Sequence, residues 1–189
     1  MLLEYTNRKG SKHYLRAAKT KKGNTRYYIV KNLSKFSKNE LQRAMPEGYE
    51  FYESPDDARV SIRKIITPLF SIKEKEIVDK YMKKHDFIYD YIIELEKEVL
   101  IIYSAHMTRE EFPELSEKYF LLNQSYTPQL VFTQKDGKYT VHRRCHLGSF
   151  PDWIPLESSP ELENLAKKFT YHIGKESLLQ FWIEGEKDW

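Results

Sequence analysis

The 189-residue sequence predicts an α+β protein, in which antiparallel β-hairpins are combined with three to four amphipathic helices; an αββ duplication in the C-terminal region is one of two readings, the other being two amphipathic helices that are alike by necessity. Three observations predict it. Stretches rich in Tyr, Val and Ile come in pairs, joined by turns too short for a parallel crossover. Between the pairs lie stretches whose apolar residues recur at helical spacing. Two of the predicted helices open on Ser or Thr with Glu three positions on, the spacing of a capping box.

In chain order, "KHYLRAA" (12–18) and "TRYYIVK" (25–31) read as strands around "KTKKGN", whose Gly and Asn favour a reversal. "SKNELQRAM" reads as a short helix capped by Ser37, with Glu40 completing the box and Pro46 stopping it. A second hairpin pairs 48–53 with 58–65 through "SPDD". From Ser71 the text turns helical, with Ile77, Val78, Tyr81, Met82 and His85 on one face. "FIYDYIIELE" and "VLIIYSA" form the next β pair. A second helix opens at Thr108, with Glu111 at box spacing, and is expected to bury Phe112, Leu115, Tyr119 and Leu122. "QLVFTQ" and "KYTVHRR" pair around Lys135-Asp136-Gly137, a favoured hairpin turn. A loop anchored on a tryptophan follows, and then a helix over about 160–173. That helix has Leu162, Leu165, Ala166, Phe169 and Ile173 inward, and Gly174 stands at its left-handed cap position. The duplication rests on "EIVDKYM" (76–82) and "ELSEKYF" (114–120), which match at a shift of 38. Two modules are expected: a basic β-rich one over 1–66 and an acidic αββαββα region over 67–189.

The 40% hydrophobic and 14% aromatic content argues against a disordered chain, and the 31% charged content argues against a membrane protein. No apolar run nears the ~20 residues of a spanning helix, and Glu4 interrupts any leader-like start, so a cytoplasmic location is expected. Cys145 is the only cysteine, which excludes an intrachain disulfide framework and a Cys-based zinc cage. The net charge of +3 conceals an asymmetry. Residues 1–43 hold twelve Lys and Arg against Glu4 and Glu40, a balance of +10 that leaves the remainder at −7. Such a split points to an anionic partner for the basic part.

The stretches "YLRAAKTKKGNTRYYIV", "MPEGYEFYESPDDARVSIRK", "CHLGSFPDWIPL" and "HIGKESLLQFW" together resemble a family of prokaryotic proteins with no established function. The sequence departs from that pattern before Cys145, where Arg144 stands in place of an aromatic. The resemblance implies that the two modules travel together as one protein, and it transfers no catalytic residue, cofactor or substrate.

The first hairpin carries the leading functional expectation. Alternation puts Leu15, Ala17, Tyr27 and Ile29 on one face, and Tyr14, Arg16, Arg26 and Tyr28 on the other, with Lys19, Lys21 and Lys22 at the tip. Tyrosine rings can stack on bases while cations neutralise phosphates, so RNA or single-stranded DNA is the expected partner of a non-enzymatic binding protein. Lysines at hairpin turns are also ordinary, and cross-strand Tyr/Arg pairs stabilise a sheet by themselves. The alternative is an interaction or self-association module, the hairpin meeting an acidic protein surface or the acidic part of a second copy. A third reading is an enzyme with a site near Trp153, where "VHRRCHLGSFPDW" groups His142, Cys145, His146 and Asp152. Strand positions four apart lie ~13 Å apart, too far for His142 and His146 to share one ion without a bend. No phosphate-cradling glycine loop, nucleophile elbow or HExxH pattern occurs, so no cofactor or metal is expected. His85 and His172 are expected at helix C-termini, where the dipole favours their charged form.

Overall fold

The computed structural model describes residues 1–85, 88, 90–145 and 153–180. Ten strands and three α-helices follow in order: β1 (Glu4–Thr6), β2 (Lys12–Lys19), β3 (Thr25–Val30), β4 (Tyr49–Glu53), β5 (Val60–Lys64), α1 (Ile72–Met82), β6 (Tyr91–Leu95), β7 (Val99–Ala105), α2 (Glu117–Asn123), β8 (Tyr126–Lys135), β9 (Lys138–Arg144), β10 (Trp153–Ser159) and α3 (Leu162–Phe169). All strand pairs are antiparallel, so the class is α+β. The chain divides into two compact units: Met1–Ile65 with Glu114–Gln124, and Ile66–Pro113 with Ser125–Trp189. By sequence count the first unit holds sixteen basic and nine acidic side chains, net +7, which leaves −4 for the second. Of the two segments that match at a shift of 38, the one in α1 falls in the second unit and the one at 114–120 in the first.

In the first unit, β1-β2-β3 form one sheet and β4–β5 a separate hairpin. Leu15 pairs with Ile29 and Ala17 with Tyr27. The hairpin covers this face: Tyr27 meets Tyr49 at 5.7 Å and Tyr5 meets Phe51 at 5.2 Å between ring centroids, and Leu15 is fully buried. A polar clamp fixes the two layers. Arg8 Nη1 donates to Glu53 Oε1 at 2.9 Å and to Ser54 O at 2.8 Å, while the Tyr5 hydroxyl donates to Glu53 Oε2 at 2.9 Å. Burial and the Glu53 carboxylate push the Tyr5 phenol up to about 12.

The helix expected over 38–45 does not form. Ser37 does donate to Glu40 Oε2 from both N and Oγ, at 3.1 and 3.0 Å. The backbone beyond it then pairs with β2 instead of propagating a helix. Ala17 N donates to Glu40 O and Gln42 N to Leu15 O, each at 2.8 Å, and Leu41 is buried. The expected start of the second helix is also corrected. The Thr108–Glu111 box forms, with Glu111 N donating to Thr108 Oγ1 at 3.2 Å. Pro113 then denies the next turn its N–H and disfavours a helical residue before it. The helix restarts at Ser116, whose hydroxyl accepts from Tyr119 N. Its buried residue is Phe120, whereas Phe112, Tyr119 and Leu122 are exposed.

The second unit is a five-stranded sheet of order β10-β9-β8-β7-β6, with α1 and α3 on one face. Leu100, Ile102, Leu130, Phe132 and Val141 alternate inward and meet Val78, Met82, Leu165, Ala166, Phe169 and Ile173. Ser71 and Glu74 make a full capping box at α1, and Gly174 ends the last helical turns at φ +75°. Trp153 opens the edge strand β10, where the sequence had suggested a loop. Pro155 obscured that strand. A proline donates no ladder bond and is tolerated only at edges or bulges, and the register shifts between Pro155 and Glu157.

Candidate functional site

The first hairpin turns through Thr20-Lys21-Lys22-Gly23. Gly23 N donates to Thr20 O at 2.9 Å, Thr20 N donates to Asn24 O at 2.8 Å, and Gly23 takes φ +81°. The positive φ at the fourth position is what glycine supplies without steric cost. Lys21 and Lys22 therefore occupy the two central turn positions, exposed. Lys19, opposite Thr25 in the register, donates to its Oγ1 at 2.8 Å.

Arg16 pairs with Tyr28, Tyr14 with Val30 and Ala18 with Arg26, so Tyr14, Arg16, Arg26 and Tyr28 share the face opposite Leu15. Their situations differ. The Tyr14 hydroxyl donates to Glu4 Oε2 at 2.8 Å, and Lys12 pairs with the same carboxylate at 2.9 Å. Arg16 donates to Glu40 Oε1 from Nε at 2.9 Å and from Nη2 at 2.6 Å. Its guanidinium lies 4.4 Å from the centroid of the Phe36 ring and 5.8 Å from that of Tyr28. The Arg16 bond, with Ser37, holds the Glu40 carboxyl below its ordinary range. Arg16 thus braces the platform, its charge already matched. Tyr28 remains 43% exposed. Among the described residues, no carboxylate pairs with Lys19, Lys21, Lys22 or Arg26. Of these, Lys19 lines an open cleft of about 580 Å³, together with Arg16, Ala17, Ala18, Thr25, Asn39 and Glu40.

The grouping near Trp153 is only partly within reach. His146 and Asp152 lie outside the described residues. His142 Nε2 sits 3.0 Å from Thr133 Oγ1, and burial pushes its pKa down. Among the described residues, no cluster of three His, Cys, Asp or Glu side chains could hold a metal. His172 stands in the last helical turn, where it was expected. Burial and the charges of Lys175 and Lys168 push its pKa down, and Nδ1 lies 2.8 Å from Ser177 Oγ. No helix among the described residues is long and apolar enough to cross a membrane.

A second group of polar residues was not singled out by the sequence: Asn7, Lys9, His13, Lys31 and Arg59, around a cleft of about 380 Å³. The only signal for it was the density of basic residues, because its members come from two turns, from β2 and from the end of β3. The chain matches no family model, no curated protein and no solved structure.

Proposed function

We propose that the first unit binds single-stranded nucleic acid through the outer edge and tip of its β2–β3 hairpin. One observation carries this reading: Arg26 shares a face with the exposed Tyr28 ring, Lys21 and Lys22 stand exposed at the tip, Lys19 lines an open cleft, and none of the four is matched by a described carboxylate. A base stacks on Tyr28 while the four cations meet successive phosphates. Tyr14 and Arg16, tied to Glu4 and Glu40, keep the platform in place and add little net charge.

Fluorescence anisotropy with a labelled, unstructured, unphosphorylated oligonucleotide at two salt concentrations tests this. Neutralising four phosphates on a single strand gives a slope of log affinity against log salt of about −2.8. Tyr28→Ala should weaken binding by about 1–3 kcal/mol, and Arg26→Gln should make the slope shallower. The reading fails if no complex forms at low salt, or if Tyr28→Ala combined with Arg26→Gln leaves the affinity unchanged.

The charge split between the units, +7 against −4, favours a second reading in which the same tip meets the acidic part of another copy. Gel filtration separates the two. Self-association that salt abolishes, without oligonucleotide binding, selects the second copy.

A further inference from the structure

The cations of the first unit fall into two sets. Arg8, Lys12, Arg16 and Arg63 are each paired with a carboxylate, respectively Glu53, Glu4, Glu40 and Glu50. Lys9, Lys31 and Arg59 make no such pair among the described residues, yet all three line one cleft. That cleft lies on the Leu15 side of the sheet, since His13 and Ile29 alternate with the residues of the Tyr28 face.

Its walls are fixed by hydrogen bonds. Asn7, buried, donates from Nδ2 to Ala58 O at 2.8 Å and accepts from Ser11 N at 2.8 Å. Ala58 holds φ +63°, a left-handed conformation that a residue with a Cβ rarely adopts. Strain of this kind persists where the surroundings over-determine it, and it collects at ligand sites. Here it sets the β4–β5 turn from which Arg59 projects. Asp57 also lines the cleft, and its Oδ1 accepts from Arg59 N at 2.8 Å, so one negative charge offsets the three positive ones. Ile29 and Val60 supply an apolar wall. The volume, about 380 Å³, is at the small end of ligand pockets.

We propose that this cleft binds a phosphate-bearing ligand no larger than a mononucleotide, with Lys9, Lys31 and Arg59 holding the phosphate and the Ile29–Val60 wall taking the remainder. Oxygen-rich dianions suit an Arg fork flanked by ammonium groups, because charge-assisted hydrogen bonds are the strong ones. The site is separate from the hairpin edge and does not depend on nucleic-acid binding there.

Calorimetric titration of the full chain at low salt with adenosine 5′-monophosphate, inorganic phosphate and adenosine tests the proposal. The monophosphate should bind, phosphate should compete with it, and adenosine should not bind measurably. Tighter binding of the monophosphate than of phosphate identifies a nucleotide-like ligand, and equal affinities identify the phosphate group alone; both support the site. Lys31→Gln and Arg59→Gln should each weaken binding about tenfold or more, whereas Arg26→Gln should leave it unchanged and affect only the oligonucleotide. The His13 ring signals should shift during the titration. The proposal is overturned if neither phosphate compound binds below ~10 mM, or if the Lys31→Gln and Arg59→Gln double variant binds as the parent does.

Discussion

At Ala58 the backbone is left-handed while the side chain is only 2% exposed, and the carbonyl is held by Asn7. Ala58→Gly should raise stability by about 1 kcal/mol, because relief of the Cβ clash outweighs the added freedom of the unfolded chain. Asn7→Ala should cost about 1–3 kcal/mol, since Ala58 O and Ser11 N both lose their partner. Urea melts of the two variants check both expectations. Little of this was legible in the sequence. Alternation assigned Arg16 and Tyr28 to one face, and the register pairs them. It carried no information about Glu4 and Glu40, which arrive from outside the hairpin and claim Tyr14 and Arg16.

At the scale of elements, one full capping box (Thr108–Glu111) and one half-formed box (Ser37–Glu40) open no helix, and a third box opens eleven residues of it. Ser37–Glu40, Thr108–Glu111 and Ser71–Glu74 show similar local hydrogen bonds, yet only the last leads into α1. A cap satisfies orphan donors but does not meet the nucleation cost, which tertiary packing of an apolar face must offset. Val78 and Met82 supply that face in α1, whereas Leu41 is buried against β2 as an extended residue and Pro113 halts the other segment. The Glu53 clamp belongs to this scale too. Glu53→Ala leaves Arg8 and Tyr5 without their carboxylate and should cost about 3–5 kcal/mol, the usual loss when one member of a largely buried pair is removed. Hydrogen exchange should show the loss as reduced protection in β1, β2, β4 and β5.

For the whole molecule, stability should fall in two steps on acidification. Burial depresses the pKa of His13, His142 and His172. At His13 the Lys31 charge adds to burial, while the Ser11 and Tyr5 backbone and Glu53 oppose it. A depressed histidine favours the neutral form in the folded state. Its contribution is therefore complete above the ordinary value near 6.5 and is lost as pH falls from there towards the folded value. Below about 4.5 a second loss begins, as Glu4, Glu40 and Glu163 are held low by Lys12, Arg16 and Lys80 respectively and must protonate. Thermal melts from pH 8 to pH 3 should show a decline beginning near 6.5 and steepening below 4.5. A molecule equally stable at pH 7 and pH 5 would contradict the histidine assignment.

The sequence by itself determined the α+β class, the faces of α1 and α3, the left-handed turn at Gly174 and the concentration of positive charge in the first 43 residues. Those follow from periodicity and residue chemistry, which act over a few positions of the chain. Only the tertiary structure decided which cations are matched and which remain open. Arg16 meets Glu40 across 24 positions and Arg8 meets Glu53 across 45, while Lys9, Lys31 and Arg59 gather around one cleft that Asp57 also lines, without an ion pair to a carboxylate among the described residues. Charge is a property of composition, but its neutralisation depends on distances of a few ångströms that the packing of separate turns and strands sets.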